Sequence, residues 1–355
     1  MRILIWHVHG GWMDGFVQGR HTYLLPTDPS HGPWGLGRGG RPWPVSAIEV
    51  DPGALHDEEI DVVVLQRPDE LSAVEQLTGR RPGRDLAAVF LEHNTPKREP
   101  VTERHALADR DDIPIVHVTQ FNRVVWDSGR APTVVIEHGV PDPGLHYTGR
   151  LERLAFVANE PVRRRRVVGA DLLASFGSAG GIDAYGMGVT ELPAALGLDE
   201  ARLRPVGDLA PADLHASMAD RRAYLHLARW TSLGLSLLEA MALGMPVIVL
   251  GTTEAVRAVP PGAGVLSTSV DTLVAAARSL IEDPVEAARL GAAGRRAALD
   301  RYGLGRFLGE WDALLADVVE RTSRRSGAAT SRTAHVAASG ETSARERKGT
   351  TCESR

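Results

Sequence analysis

The stretch RWTSLGLSLLEAMALGMPVIVL, Arg229 to Leu250, limits what this chain can fold into more than any other part of it. A turn of small residues runs into an apolar helix, Gly244-Met245-Pro246 breaks that helix, and a buried strand follows. Leu235, Leu238 and Met241/Ala242 recur at helical spacing, which predicts a helix over about Leu235–Leu243 with Ser232 at its N-cap. A helix start leaves its first N–H groups unpaired and carries the positive end of the helix dipole. The Thr231–Gly234 turn therefore suits an anionic diphosphate. Glu239 is a lone carboxylate among Leu, Ala and Met, costly to bury unless it accepts hydrogen bonds such as vicinal ribose hydroxyls donate. The same residues also suit an ordinary helix start in any α/β protein, with Glu239 merely solvated.

With 355 residues, 43% of them apolar and 24% charged, the chain has material for two cores of ordinary globular character. The net charge of −5 gives no overall cationic field and argues against a nucleic-acid partner. The single cysteine, Cys352, rules out an internal disulfide framework and a cysteine zinc site, which points to a reducing, cytoplasmic compartment. MRILIWHV reads as a first strand rather than a signal, and no apolar run is long enough to span a membrane. Peripheral membrane contact stays open.

Apolar runs bounded by turn residues predict strands at Ile3–Val8, Val62–Leu65, Ala87–Leu91, Ile115–Val118 and Val134–Ile136. Thr27–Pro44, dense in Gly, Pro, His and Trp, reads as a long loop shaping a cleft. His138–Gly144 reads as a hinge, after which strands are expected at Leu154–Ala158, Ile182–Tyr185, Ala223–Leu227, Val247–Leu250 and Gly264–Leu266. Helices are expected at Thr272–Ile281, Pro284–Leu299 and Gly305–Val319. The alternation predicts an α/β chain of two Rossmann-like domains, 1–145 and 146–322, the second with closing helices, and a disordered tail over 323–355.

In such sheets ligands lie beyond the carboxyl ends of the strands. After the first strand come His7-Val8-His9-Gly10-Gly11-Trp12, whose paired glycines suit a tight loop facing the cleft. The G-x-G-x-x-G spacing of a dinucleotide fingerprint is absent. His93 follows the Ala87–Leu91 strand, placed as a hydrogen-bond donor or general acid/base. Arg163-Arg164-Arg165-Arg166 open an expected helix after the first strand of the second domain, a cluster able to neutralise a diphosphate; a solvated helix start is the alternative. No Asp-x-Asp pair follows a strand, and no serine elbow, Walker loop or His-Glu-x-x-His occurs, so no metal is expected.

Gly234-Leu235, Glu239-Ala240-Met241-Ala242 and Gly244-Met245-Pro246-Val247 resemble the donor signature of retaining nucleotide-sugar glycosyltransferases of GT-B fold, family 4-like, group 1. That pattern is a glutamate, seven residues, a second glutamate, Ala-Met, a small residue and Gly-x-Pro-Val. The second glutamate falls on Glu239, while Thr231 stands where the first is expected. Asn159 stands where the pattern has an arginine. The resemblance implies two domains facing a cleft and a hexosyltransferase that moves a sugar from a nucleoside-diphosphate co-substrate to an acceptor, which is a glycan, lipid or small molecule. It implies retention, with neither metal nor other cofactor. His93, Glu239 and Thr231 would serve the reacting donor. Arg163, Arg165, Ser232, Leu233, Gly234 and Leu235 would hold its diphosphate, and Gly10 and Gly11 would face the acceptor. A sugar-nucleotide epimerase or hydrolase on the same fold, and a non-catalytic nucleotide-sugar or carbohydrate-binding protein, are the alternatives.

Overall fold

The computed structural model describes the backbone of residues 1–346 and the side chains of residues 1–325. A seven-stranded sheet holds β1 (Arg2–Ile5), β2 (Thr22–Pro26), β3 (Ala47–Val50), β4 (Val62–Leu65), β5 (Ala87–Glu92), β6 (Ile115–His117) and β7 (Thr133–Val135). Among its connections run α1 (Gly10–Phe16), α2 (Glu70–Thr78) and α3 (Gln120–Val125). The order β3-β2-β1-β4-β5-β6-β7 is parallel throughout, so all its strands end on one edge.

After a stretch without regular elements from residue 136 to 150, a six-stranded sheet repeats the plan. It holds β8 (Leu151–Val157), β9 (Ile182–Tyr185), β10 (Leu203–Gly207), β11 (Arg221–His226), β12 (Val247–Leu250) and β13 (Val265–Ser267). The helices here are α4 (Leu173–Phe176), α5 (Leu192–Leu196), α6 (Pro211–Met218), α7 (Leu235–Leu243), α8 (Ala255–Ala258), α9 (Val270–Glu282), α10 (Pro284–Tyr302) and α11 (Leu304–Glu346). The order β10-β9-β8-β11-β12-β13 is again parallel. Both sheets thus reverse strand order beside their first strand, the doubly wound Rossmann pattern.

Alternate residues of each strand feed two cores. Ile3, Ile5, Val62, Val64, Val89 and Val116 belong to one core of the first sheet. Leu4, Val63, Leu65, Ala88 and Phe90 belong to the other. This is why VVVL and VIVL read as unbroken apolar runs: a parallel sheet covered on both faces has no polar side. Phe307, Trp311, Leu315 and Val318 of α11 join the first sheet's core, so the chain crosses back from the second sheet to cover the first. The tail expected from 323 begins inside this helix, and residues 347–355 lie outside the described residues.

Four readings differ. The first strand stops at Ile5, and Gly10 and Gly11 form the first turn of α1 rather than a loop. β2, β3 and β10 carried too weak a signal: β3 and β10 are short edge strands with exposed positions, which need no continuous apolar run. The run from Arg163 to Arg166 lies in successive turns, not in a regular helix. Ser232 does not cap α7; Gly234 holds that position, in extended conformation.

Candidate active site

The two points where strand order reverses, β1/β4 and β8/β11, together with the neighbouring β5, place five strand ends on one cleft. From the first domain come His9, Gly10 and Gly11 after β1, Gln66 after β4 and His93 after β5. From the second come Arg164 after β8 and Thr231 to Leu235 after β11.

The starts of α1 and α7 face each other across this cleft: a Cβ on Gly11 would stand 3.2 Å from Leu235 Cδ1. Gly234 is required by space, since a Cβ there would stand 2.6 Å from Cε1 of His226, a buried ring that ends β11. Burial pushes the His226 pKa down to about 4, so this ring is a neutral wall behind the helix start. The nine-residue α7 has no side chain capping its first N–H groups. Leu233 is buried in the core beneath. Glu239 projects from the second turn of α7; its side chain is 23% exposed and its carboxylate lies 3.6 Å from His215 Nε2 of α6.

Direct contacts hold the domains closed. Ser232 Oγ donates to the His93 carbonyl at 2.7 Å, and Trp230 Nε1 donates to the Pro96 carbonyl at 2.7 Å. The amide of Phe121 donates to Glu254 Oε2 at 2.8 Å. Glu254 is itself buried and held by Arg257 Nε at 2.8 Å.

His93 lies in a histidine cluster. Its ring packs 4.0 Å from that of His9 and edge-on to Trp12 at 5.4 Å. Burial, then the neighbouring His9 and His138, hold its pKa well below the usual histidine value. Burial likewise pushes His9 and His138 down to about 4. All three rings are neutral near pH 7. His138 is 3% exposed, and neither of its ring nitrogens has a partner. The Thr231 hydroxyl and Trp12 Nε1 are also buried without partners. Buried polar atoms are nearly always paired, and each orphan costs about 1–3 kcal/mol, a cost that a hydrogen-bonding ligand or water at these atoms would offset.

The structure brings His93, Gly10, Gly11, Thr231, Ser232, Gly234 and Leu235 to one place. Arg163 and Arg165 are exposed, and Arg163 lies 3.5 Å from Glu160. Arg164 is the half-buried member of the run; its guanidinium has no partner among the described residues, and burial followed by Arg163 lowers its pKa. The turns that carry it lie along the strand end leading to Thr231, where the amides of Arg229 and Trp230 both donate to the Val167 carbonyl. Asn159, at the arginine position of the resembled pattern, accepts the Met187 amide at 3.0 Å. Sequence reading missed Gln66, and it named Arg164, His9 and His138 only within longer segments without singling them out. Placement just past a strand end was the available signal for His9 and Gln66, and nothing local distinguished Arg164 from its neighbours.

A separate concavity of about 600 Å³ lies at the opposite, amino-terminal edge of the first sheet and is lined by Arg–Asp pairs such as Arg81–Asp85 and Arg110–Asp112. It contains none of the cleft residues.

Residues 197–297, which include α7 and the strand after it, match the family described as glycosyl transferases group 1. The chain is similar in fold to sucrose-phosphate synthase from Thermosynechococcus elongatus, with a TM-score of 0.66 at 15% identity over 90% of this chain and 100% of that one. The group 1 match thus lies within the second domain, and the chain as a whole has the GT-B fold. A structure of Anabaena HepE in complex with UDP-glucose is likewise similar to this chain, with a TM-score of 0.66 and 17% identity over 89% of this chain and 100% of that one. A glycosyltransferase from Rickettsia africae matches with a TM-score of 0.65 and 12% identity over 90% and 98% of the two chains. No curated protein matches its sequence. No described helix is long and apolar enough to cross a membrane.

Proposed function

We propose that this chain is a glycosyltransferase that moves a hexose, with retention of anomeric configuration and without a metal, from a nucleoside-diphosphate sugar on its second domain to an acceptor on its first. The observation that carries the reading is the uncapped α7 start, facing the α1 start beside His93 and the orphaned polar atoms of Thr231 and His138. An uncapped helix start suits a departing diphosphate, and unpaired Arg164 supplies the positive charge that a metal supplies elsewhere. Glu239 accepts from the ribose hydroxyls, for which its carboxylate has free acceptor positions beside the 3.6 Å contact to His215. HepE bound to UDP-glucose supports a uridine nucleotide as the first donor to try. Retention and metal independence rest on the resemblance of the α7 signature.

Calorimetric titration with UDP-, GDP- and ADP-sugars tests the reading. One of them is expected to bind, and Glu239→Ala to weaken that binding by about tenfold or more, the worth of a charge-assisted hydrogen bond. Equal affinity in the variant would remove Glu239 from the donor site. Thr231 and Asn159, both neutral where the resembled pattern is charged, favour one second reading, a protein that binds nucleotide sugars without turning them over. Release of nucleoside diphosphate with and without added glycan acceptors separates transfer from hydrolysis and from binding alone.

A further inference from the structure

We infer that Gln66 is the positioning residue for His93: it fixes the proton on Nε2 and leaves Nδ1 as an oriented hydrogen-bond acceptor towards the cleft. Gln66 stands at the end of β4, between the ends of β1 and β5, and is buried. Its side-chain amide lies 2.7 Å from the Trp6 carbonyl and 3.0 Å from His93 Nε2. A carbonyl only accepts, so the NH2 of Gln66 must face Trp6, and Oε1 must then face His93. An amide oxygen also only accepts, so the imidazole must carry its proton on Nε2. A neutral ring has a single N–H, which leaves a lone pair on Nδ1, and Nδ1 has no partner among the described residues.

Gln66 is itself held. Its backbone amide donates to Glu70 Oε2 at 2.6 Å, and Arg67 Nε donates to Glu70 Oε1 at 2.7 Å, on a glutamate with no exposed surface. The groups facing His93 are the His9 ring and Trp12 on α1, His138 from the linker, and Gln66. Glu70 and Arg67 stand behind Gln66 as a compensated pair. His93 is thereby assigned as an acceptor from a hydroxyl of the bound sugar or acceptor rather than as a general acid, an assignment that rests on the cleft being the transfer site proposed above.

The test combines ring-nitrogen NMR of the ¹⁵N-histidine-labelled full chain, with His93 assigned from the resonance lost in His93→Gln, and turnover of the best-bound UDP-, GDP- or ADP-sugar. The wild type is expected to show the Nε2–H tautomer of His93 at pH 7.5. Gln66→Met, which keeps the length but neither donates nor accepts through an amide, is expected to mix the tautomers and lower kcat about tenfold, with the donor KM within about twofold. Gln66→Glu should restore acceptance from Nε2–H but stabilise the imidazolium. Its rate is therefore expected to fall as pH drops through the raised His93 pKa, a limb the wild type lacks. An Nδ1–H tautomer in the wild type would overturn the assignment even if no variant folds. A Gln66→Met enzyme with unchanged tautomer and kcat would overturn it too. Changed tautomers with unchanged kcat would overturn the role of His93 at the reacting sugar. If the wild type turned over no donor, the transfer reading would fail, and the tautomer would still decide the Gln66 assignment.

Discussion

Thr231 has a side-chain oxygen that is buried in the closed cleft and makes no hydrogen bond. Replacing it by the isosteric valine removes that group without opening a cavity. Thr231→Val is therefore expected to leave the free protein as stable as the wild type or more stable by about 1 kcal/mol, read from urea denaturation midpoints. Clear destabilisation would mean that the hydroxyl has a partner in solution. Gly234 is set by the opposite constraint, since His226 Cε1 lies where its Cβ would be. Gly234→Ala must displace either a buried ring or the start of α7, so a loss of donor affinity larger than any loss of stability is expected. Calorimetric affinity and the denaturation midpoint, measured on one preparation, separate the two. At this scale the sequence disclosed the glycine before an apolar helix and the lone carboxylate of Glu239, because both are local features. It did not disclose that Arg164 rather than Arg163 or Arg165 turns inward, because a run of identical residues has no local mark of burial.

Among the elements, α7 was legible to the residue, Leu235–Leu243, since Gly234 before it and Gly244-Met245-Pro246 after it act within one turn. What holds that helix in place was not legible. Gly291 of α10 packs on the end of α7: a Cβ there would stand 1.9 Å from the carbonyl oxygen of Gly244, which is in left-handed conformation at φ 87°. Gly291→Ala gains helix propensity within α10 yet must push backbone from backbone. The expected net result is a destabilisation of about 1–3 kcal/mol or more, visible as a lower Tm. A rise in Tm would show that α10 can shift freely against α7. The edge strands β3 and β10 were missed for a physical reason of the same kind: exposed on one side, they are defined by hydrogen bonds to a neighbour rather than by their own composition.

For the whole molecule, closure and acid sensitivity share one cause, the burial of polar groups between and within the domains. Burial pushes the pKa of His117 down to about 3 and those of His138 and His226 down to about 4. The unfolded chain holds such groups at about 6.5, so between 6.5 and 4 it binds protons that the folded protein does not. Stability is therefore expected to fall as pH is lowered through that window and to be indifferent to these groups above it. Each contributes about 1.4 kcal/mol per pH unit. Urea midpoints at about pH 7.5 and pH 5 check the sign, and an equal or higher midpoint at the lower pH would contradict it. The parallel α/β organisation in two units and the turn–helix–strand order of the Arg229–Leu250 stretch were determined by the sequence alone, because apolar period, glycines and helix ends act between near neighbours. Only the tertiary structure decided that His9, Gln66, His93, His138 and Thr231 share one cleft, and that α11 returns to the first sheet. Strand order places those residues together across long separations in the chain, and no local pattern encodes that order.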